Sequence, residues 1–345
     1  MKKPLLQTEN RVWRTYRGGK QLEEFLGKPN AENSERPEDW ISSFVEARNR
    51  NYIPGEGISK VLVGNEERLI TDVIVAEDFG PGRTESGVLI KYLDAAERLG
   101  IQVHPTPDFS RKYFETNYGK TECWHILRAD TNAGAAIYIG FKEGITKEKW
   151  AKLFAEQDID GMLDALHRFE VREGDTILVT AGTPHAIGAG CFLLEIQEPT
   201  DYTMRVEKIT AAGERLTPMQ IHYGVGEENL LNCFIYEGLS RSEARNKYFL
   251  SPETKITEEM GKSLLLVTYE NSPCFALEKV IKGPVSILPD SFVTIVVTKG
   301  GKIKIGEGSF EVKQGDKIFV PYGCGTITVK SAEVILCYPP KNERI

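Results

Sequence analysis

One segment of this chain is written twice. Residues 171–185, VREGDTILVTAGTPH, and residues 312–326, VKQGDKIFVPYGCGT, share Val171/Val312, Gly174/Gly315, Asp175/Asp316, Ile177/Ile318, Val179/Val320 and Gly182/Gly323. A Gly-Asp turn, a short β-branched strand and a second glycine turn make a hairpin-like unit, and its reuse predicts two copies of one β architecture. The copies part at their last position, where the first has His185 and the second Thr326. Chemistry that needs an imidazole at this place is therefore confined to the first half.

The rest of the chain has the same texture. KVLVGN, LITDVIVAE, ECWHILRA, AAIYIGF, DTILVTA and FLLEIQE read as strands, and after residue 230 so do CFIYEGL, SLLLVTYE, FALEKVI, FVTIVVTKG, KIKIGEG and EVILCYP. Gly, Pro and Asn punctuate them, which predicts sandwiches or jelly-roll barrels. Helices are few. VLIKYLDAAERLG sets Leu89, Tyr92, Leu93 and Ala96 on one stripe, with Gly100 as a C-cap. TKEKWAKLFAEQ, capped by Thr146, and GMLDALHRFE predict a two-helix insertion over 146–169. The expected division is a first β domain over 1–225 and a second over 226–345.

A net charge of −7 argues against a nucleic-acid partner, and it obliges an anionic ligand to find a locally basic pocket. No apolar run reaches the length of a membrane span, and MKKPLLQTENR lacks the apolar centre of a secretory signal. The six cysteines are scattered without a CxxC pair, the usage of a reduced, cytoplasmic protein.

The polar residues that break the strand patterns lie in the first half. In GIQVHPT, Gln102 and His104 are two apart and point to one face of a strand. Taken alone, such a pair is an ordinary solvent face. GKTECWHIL adds Lys120 and Glu122, and His185 closes the repeat. Two imidazoles and two side-chain oxygens suit a zinc-like divalent ion with open positions; manganese, cobalt or iron(II) would also be accepted. His125 lies on the opposite face of its strand from Glu122. His167, expected on a helix, and His222, expected in a linker, read as solvated or structurally bonded.

The repeat resembles the second motif of the cupin family, which implies a mainly β fold of two cupin-type jelly-roll barrels with a small helical insertion. The segments IQVHP, GKTE, TPHAIGAGCFLLEIQ and TDYTMRV, in this order and spacing, resemble the type I mannose-6-phosphate isomerases, in particular the shorter bacterial branch. RVWRTYRGGKQL and PEDWISS are similar more loosely. The resemblance implies that Gln102, His104, Glu122 and His185 hold one zinc ion and that Arg205 and Lys120 are active-site residues. It implies interconversion of mannose 6-phosphate and fructose 6-phosphate through a cis-enediol. Arg205 would supply positive charge where the oxyanion develops, and Lys120 would stabilise the same oxygen or move a proton between oxygens. On residue chemistry alone, Arg205 reads equally as a partner of Asp201 or Glu207, and Lys120 as a solvated loop lysine. Glu195, in the apolar FLLEIQE, is a buried carboxylate beside the site or paired with a cation.

The chain departs from the family pattern at four places. Gly100 stands where a hydroxyl residue is common, Thr106 where Asp or Asn is usual, Tyr202 where Asn is frequent, and Gly119 where a longer signature has His before the lysine. With the hydroxyl at 100 gone, Arg111, Lys112 and Lys120 are the candidate phosphate contacts, and the base is unassigned. Three alternatives stay open: an isomerase of another or unphosphorylated aldose, a non-catalytic sugar-binding bicupin, and an iron(II) cupin that uses oxygen. The expected partner is a small sugar phosphate, and the chain would be a monomer or a homodimer.

Overall fold

The repeat appears in space as two matching turns. In the computed structural model, which describes residues 2–341, Gly174 and Gly315 take the left-handed region at φ 90° and 87°. The carboxylate after each glycine then accepts from the backbone N–H three residues earlier: Asp175 from Arg172 at 3.0 Å, Asp316 from Lys313 at 2.8 Å. Each turn launches an equivalent strand, Thr176–Val179 in one half and Lys317–Val320 in the other.

The first half is a sandwich of two sheets. One runs, in spatial order, Phe249–Leu250, Thr176–Val179, Glu122–Ala129, Cys191–Gln197, Leu89–Ala95, Glu38–Ile41 and Arg11–Val12. Facing it are Leu166–Glu170, Ala136–Lys142, His185–Ile187, Gln102–Val103 and Met204–Arg205. Alternation sorts the residues between layers. Trp124 and Ile126 turn into the core between these sheets, while Cys123 turns out toward the second half.

The second half packs against that outer face. Its larger sheet, which includes Val293–Lys299, Lys317–Val320 and Glu333–Tyr338, lays Val296, Phe319 and Ile335 against Ile90, Tyr92, Phe192 and Leu194. The first half's large sheet is therefore buried on both faces. A buried ion pair, Lys317 Nζ to Asp39 Oδ2 at 2.6 Å, fixes the contact. Strand pairing runs across the expected boundary at 225. Gly238–Leu239 and Phe249–Leu250 still pair with the first half, and Leu5–Leu6 joins the sheet of the second.

Burial on both faces also corrects one sequence reading. Residues 89–95 form a strand and not a helix, every residue of it buried. A continuous apolar run lacks the polar alternation that marks a half-exposed strand, so its spacing imitates a helical stripe. The insertion is real but shorter than expected. Lys147–Glu156 is capped by Thr146 and buries Trp150 and Phe154; Ile159–Asp164 is capped by Asp158. The next residues, Leu166–Glu170, are a strand, so His167 is a buried sheet residue with Nε2 2.9 Å from the Leu239 carbonyl. His222 ends the helix Pro218–His222, is also buried, and accepts from the Gly226 N–H at Nδ1. All six cysteines are buried. No helix among the described residues is long and apolar enough to cross a membrane.

Candidate metal centre and active site

The register of three short strands places the site. His185 stands opposite Gln102, and Gln102 stands opposite Arg205 on its other side. Residues 83 and 103 positions apart in the chain thus form one row across the sheet. His104 follows on the same face as Gln102. From the facing sheet comes Glu122, whose strand neighbours are Val179 and Gln197.

The backbone fixes both imidazoles in one tautomer. His104 Nδ1 lies 3.0 Å from the Tyr202 carbonyl, and His185 Nδ1 lies 2.9 Å from the Thr183 carbonyl. A carbonyl only accepts, so each Nδ1 carries the proton and each Nε2 presents a lone pair. Both Nε2 atoms face Glu122: His104 Nε2 is 3.0 Å from Oε2, and His185 Nε2 is 3.5 Å from Oε1. His104 and His185 stay neutral. Burial lowers both, with Lys120 adding to the effect, and takes His104 to about 3. Burial pushes the Glu122 carboxyl up, but the Lys120 ammonium outweighs it and holds it well below the ordinary carboxylate range.

This donor set fits a metal. Ligand atoms at about 2.0–2.1 Å from a tetrahedral zinc are separated by roughly 3.3 Å, a value that the two separations above bracket. Oε1 of Glu122 is buried and makes no hydrogen bond, an expensive state unless another group uses that oxygen. The Gln102 amide nitrogen is 3.2 Å from His185 Nε2; a half-turn of the amide would put its oxygen there instead. Lys120 is not a loop lysine in solvent. It is buried, and its Nζ donates to His104 Nε2 at 2.8 Å and to Glu122 Oε2 at 2.6 Å.

A small inner cavity of about 50 Å³, lined by Gln102 and Lys120, also reaches a second polar cluster, in which the sequence singles out only Glu195 as a site residue. Lys91 pairs with Glu195 at 3.1 Å and lies 3.7 Å from Glu38; Arg14 holds Glu38 at 2.9 Å and Asp201 at 3.1 Å. Tyr16 and Trp40 donate to the remaining positions of Glu38. Glu195 is thus both paired with a cation and in the wall of the cavity. Burial raises its pKa, and the nearby Glu122 raises it further. A lysine inside the apolar run VLIKYLDA was the available signal for Lys91; the helical reading of that run hid it.

Arg205 lines both the inner cavity and a wide outer cleft of about 810 Å³. It pairs with neither Asp201, which Arg14 holds, nor Glu207, which Arg98 holds; it donates to the carbonyls of Thr203 and Gln220. Arg111 and Lys112 line neither space. Arg111 pairs with Asp108 at the surface, and Lys112 lies over the ring of Tyr113. Thr106 caps the helix Pro107–Tyr113, a task Asp or Asn performs equally well. Gly119 has no room for a side chain: a Cβ would lie 2.7 Å from the Pro105 carbonyl oxygen and 2.8 Å from Pro107 Cδ.

The fold and site define a two-barrel cupin whose first barrel carries a buried histidine–glutamate cluster that could hold a metal ion. No family model matches the chain. Over 255 residues, 73% of this chain and 74% of the relative, it is 29% identical to mannose-6-phosphate isomerase ManA of Bacillus subtilis. It is also 29% identical to the mannose-6-phosphate isomerase of Streptococcus mutans, over 77% of this chain and 79% of the relative. The crystal structure of a Bacillus subtilis mannose 6-phosphate isomerase superposes with a TM-score of 0.75 at 22% identity, covering 98% of this chain and 100% of that one. A zinc-bound mannose 6-phosphate isomerase gives 0.72 at 16% identity over the same shares. The chain is thus similar in sequence to bacterial mannose-6-phosphate isomerases and has the fold of the solved ones.

Proposed function

We propose that this chain is a metal-dependent aldose–ketose isomerase that interconverts mannose 6-phosphate and fructose 6-phosphate through a cis-enediol. The observation that carries the reading is the convergence of ligand atoms of His104, Glu122 and His185 within 4.8 Å of one another, with Lys120 hydrogen-bonded to two of them and lining, with Arg205, the adjoining cavity. Relatives in sequence bear that activity in their names, and zinc is named for a structural neighbour.

On this reading Gln102, His104, Glu122 and His185 hold zinc, which when bound would polarise the sugar's carbonyl oxygen. The chain's own groups do the rest. Lys91 keeps Glu195 in position, and burial keeps its carboxyl easy to protonate, so Glu195 is the group we assign to take the C2 proton and return it at C1. As that proton leaves, the electron pair becomes the C1–C2 double bond and the carbonyl oxygen gains a proton. Lys120 would exchange protons between the two oxygens, and Arg205, which has no carboxylate partner among the described residues, offers its charge to the oxyanion.

Metal analysis and isomerase assays before and after chelation, on wild type and on His104→Ala, test this. Chelation and the substitution should each remove metal and turnover together. Full-rate isomerisation by the chelated protein would sink the reading.

A further inference from the structure

A sugar phosphate is a dianion, and this protein carries a net charge of −7, so a local cation has to offset the global field where the phosphate enters. On the isomerase reading above, we infer that Arg48, held on the ring of Tyr202, receives the phosphate of the substrate and so selects phosphorylated over neutral sugars.

Four arginines line the outer cleft, and their commitments differ. Arg14 is held by Glu38 and Asp201, and Arg50 by Glu214. Arg205 reaches the inner cavity and donates to two carbonyls. Arg48 is exposed and, among the described residues, forms no ion pair. Three carboxylates line the same cleft. Asp201 is taken by Arg14 and by the Arg48 backbone N–H at 2.7 Å; Glu46 accepts from the Tyr52 hydroxyl and the Gly55 N–H; Glu115 points to solvent. Among the described residues, Arg48 is the cleft arginine whose guanidinium makes no hydrogen bond or ion pair, its one contact being a ring face.

Its placement is specific. The guanidinium carbon lies 4.2 Å from the centre of the Tyr202 ring. Held over the ring, the guanidinium leaves its N–H groups for the paired hydrogen bonds that a phosphate accepts. Tyr202 is itself fixed, stacked on Phe114 at 4.1 Å and 7°, with Tyr223 edge-on at 5.2 Å. Its carbonyl accepts the Nδ1 proton of His104. One rigid residue therefore sets the spacing between the metal cluster, where C1 and C2 react, and the cation at the far end of the sugar.

The test compares kcat/KM for mannose 6-phosphate with kcat/KM for mannose, using the metal-loaded full chain as wild type, Arg48→Ala, Arg48→Lys and Arg111→Ala. The ratio should fall about 10- to 100-fold in Arg48→Ala, the loss of a charge-assisted phosphate contact, and recover in part in Arg48→Lys. A ratio that falls in Arg111→Ala and holds in Arg48→Ala overturns the assignment. Calorimetric titration with fructose 6-phosphate separates it from the isomerase reading. If wild type turns over neither sugar, that reading fails; weaker binding to Arg48→Ala than to wild type would still support Arg48. Equal binding by both, or none by wild type, overturns it.

Discussion

Lys120 donates to Oε2 of Glu122 at 2.6 Å, and both side chains are almost wholly buried. The ammonium supplies the positive charge that a metal would supply at the same carboxylate. Removing it leaves a buried charge without a partner, at a cost of about 3 kcal/mol or more. Lys120→Met should therefore lower the urea midpoint of the metal-free chain clearly, and that of the zinc-saturated chain much less. A loss of equal size with and without zinc would show that the two cations do not serve the same carboxylate.

Glu195→Gln keeps the shape of the side chain and removes its proton chemistry. Its kcat should drop by about 100-fold or more, the usual contribution of a placed acid–base group, while zinc content is retained. Single-turnover exchange of the C2 proton with solvent deuterium is the direct readout. Wild-type exchange rates in the variant would move the proton to another group.

Gly119 brings the backbone against Pro105, and the next N–H, that of Lys120, donates to the Pro105 carbonyl at 3.0 Å. In Gly119→Ala the new methyl would displace that carbonyl and shift Lys120. A displacement near 1 Å costs about 100-fold in turnover. The variant should keep its metal and lose activity, which zinc analysis beside steady-state kinetics would reveal.

His125 is a pH-dependent element outside the metal cluster. It is buried against Thr176, Nδ1 to Oγ1 at 3.0 Å, and its Nε2 has no hydrogen-bond partner. Burial, with Lys279 nearby, lowers its pKa to about 3. The unfolded chain binds this proton near pH 6.5 and the folded chain does not, so its contribution is intact above 6.5 and declines as pH falls toward 3. By pH 4.5 the loss is about 2–3 kcal/mol. Denaturation midpoints across pH 7 to 4.5 should fall less steeply for His125→Gln than for wild type, with zinc absent from both.

Covalent geometry determined part of the site by itself. A strand alternates its side chains, so Gln102 and His104 had to share a face, and Glu122 and His125 had to part. The repeat located His185 and denied its counterpart to the second half, where Thr326 stands. Lys91, Glu38 and Arg14 were not legible in this way. Lys91 lies in a strand buried on both faces, where the polar alternation that reveals a strand is missing. Arg48 gave no local signal either, since its meaning comes from the ring of Tyr202 beneath it. What only the tertiary structure decided was which face met which. The row His185–Gln102–Arg205 depends on register between strands far apart in the chain, and that register is set by burying two whole sheets together. Local pattern specifies the direction of a side chain; the collective burial of apolar layers specifies what it meets.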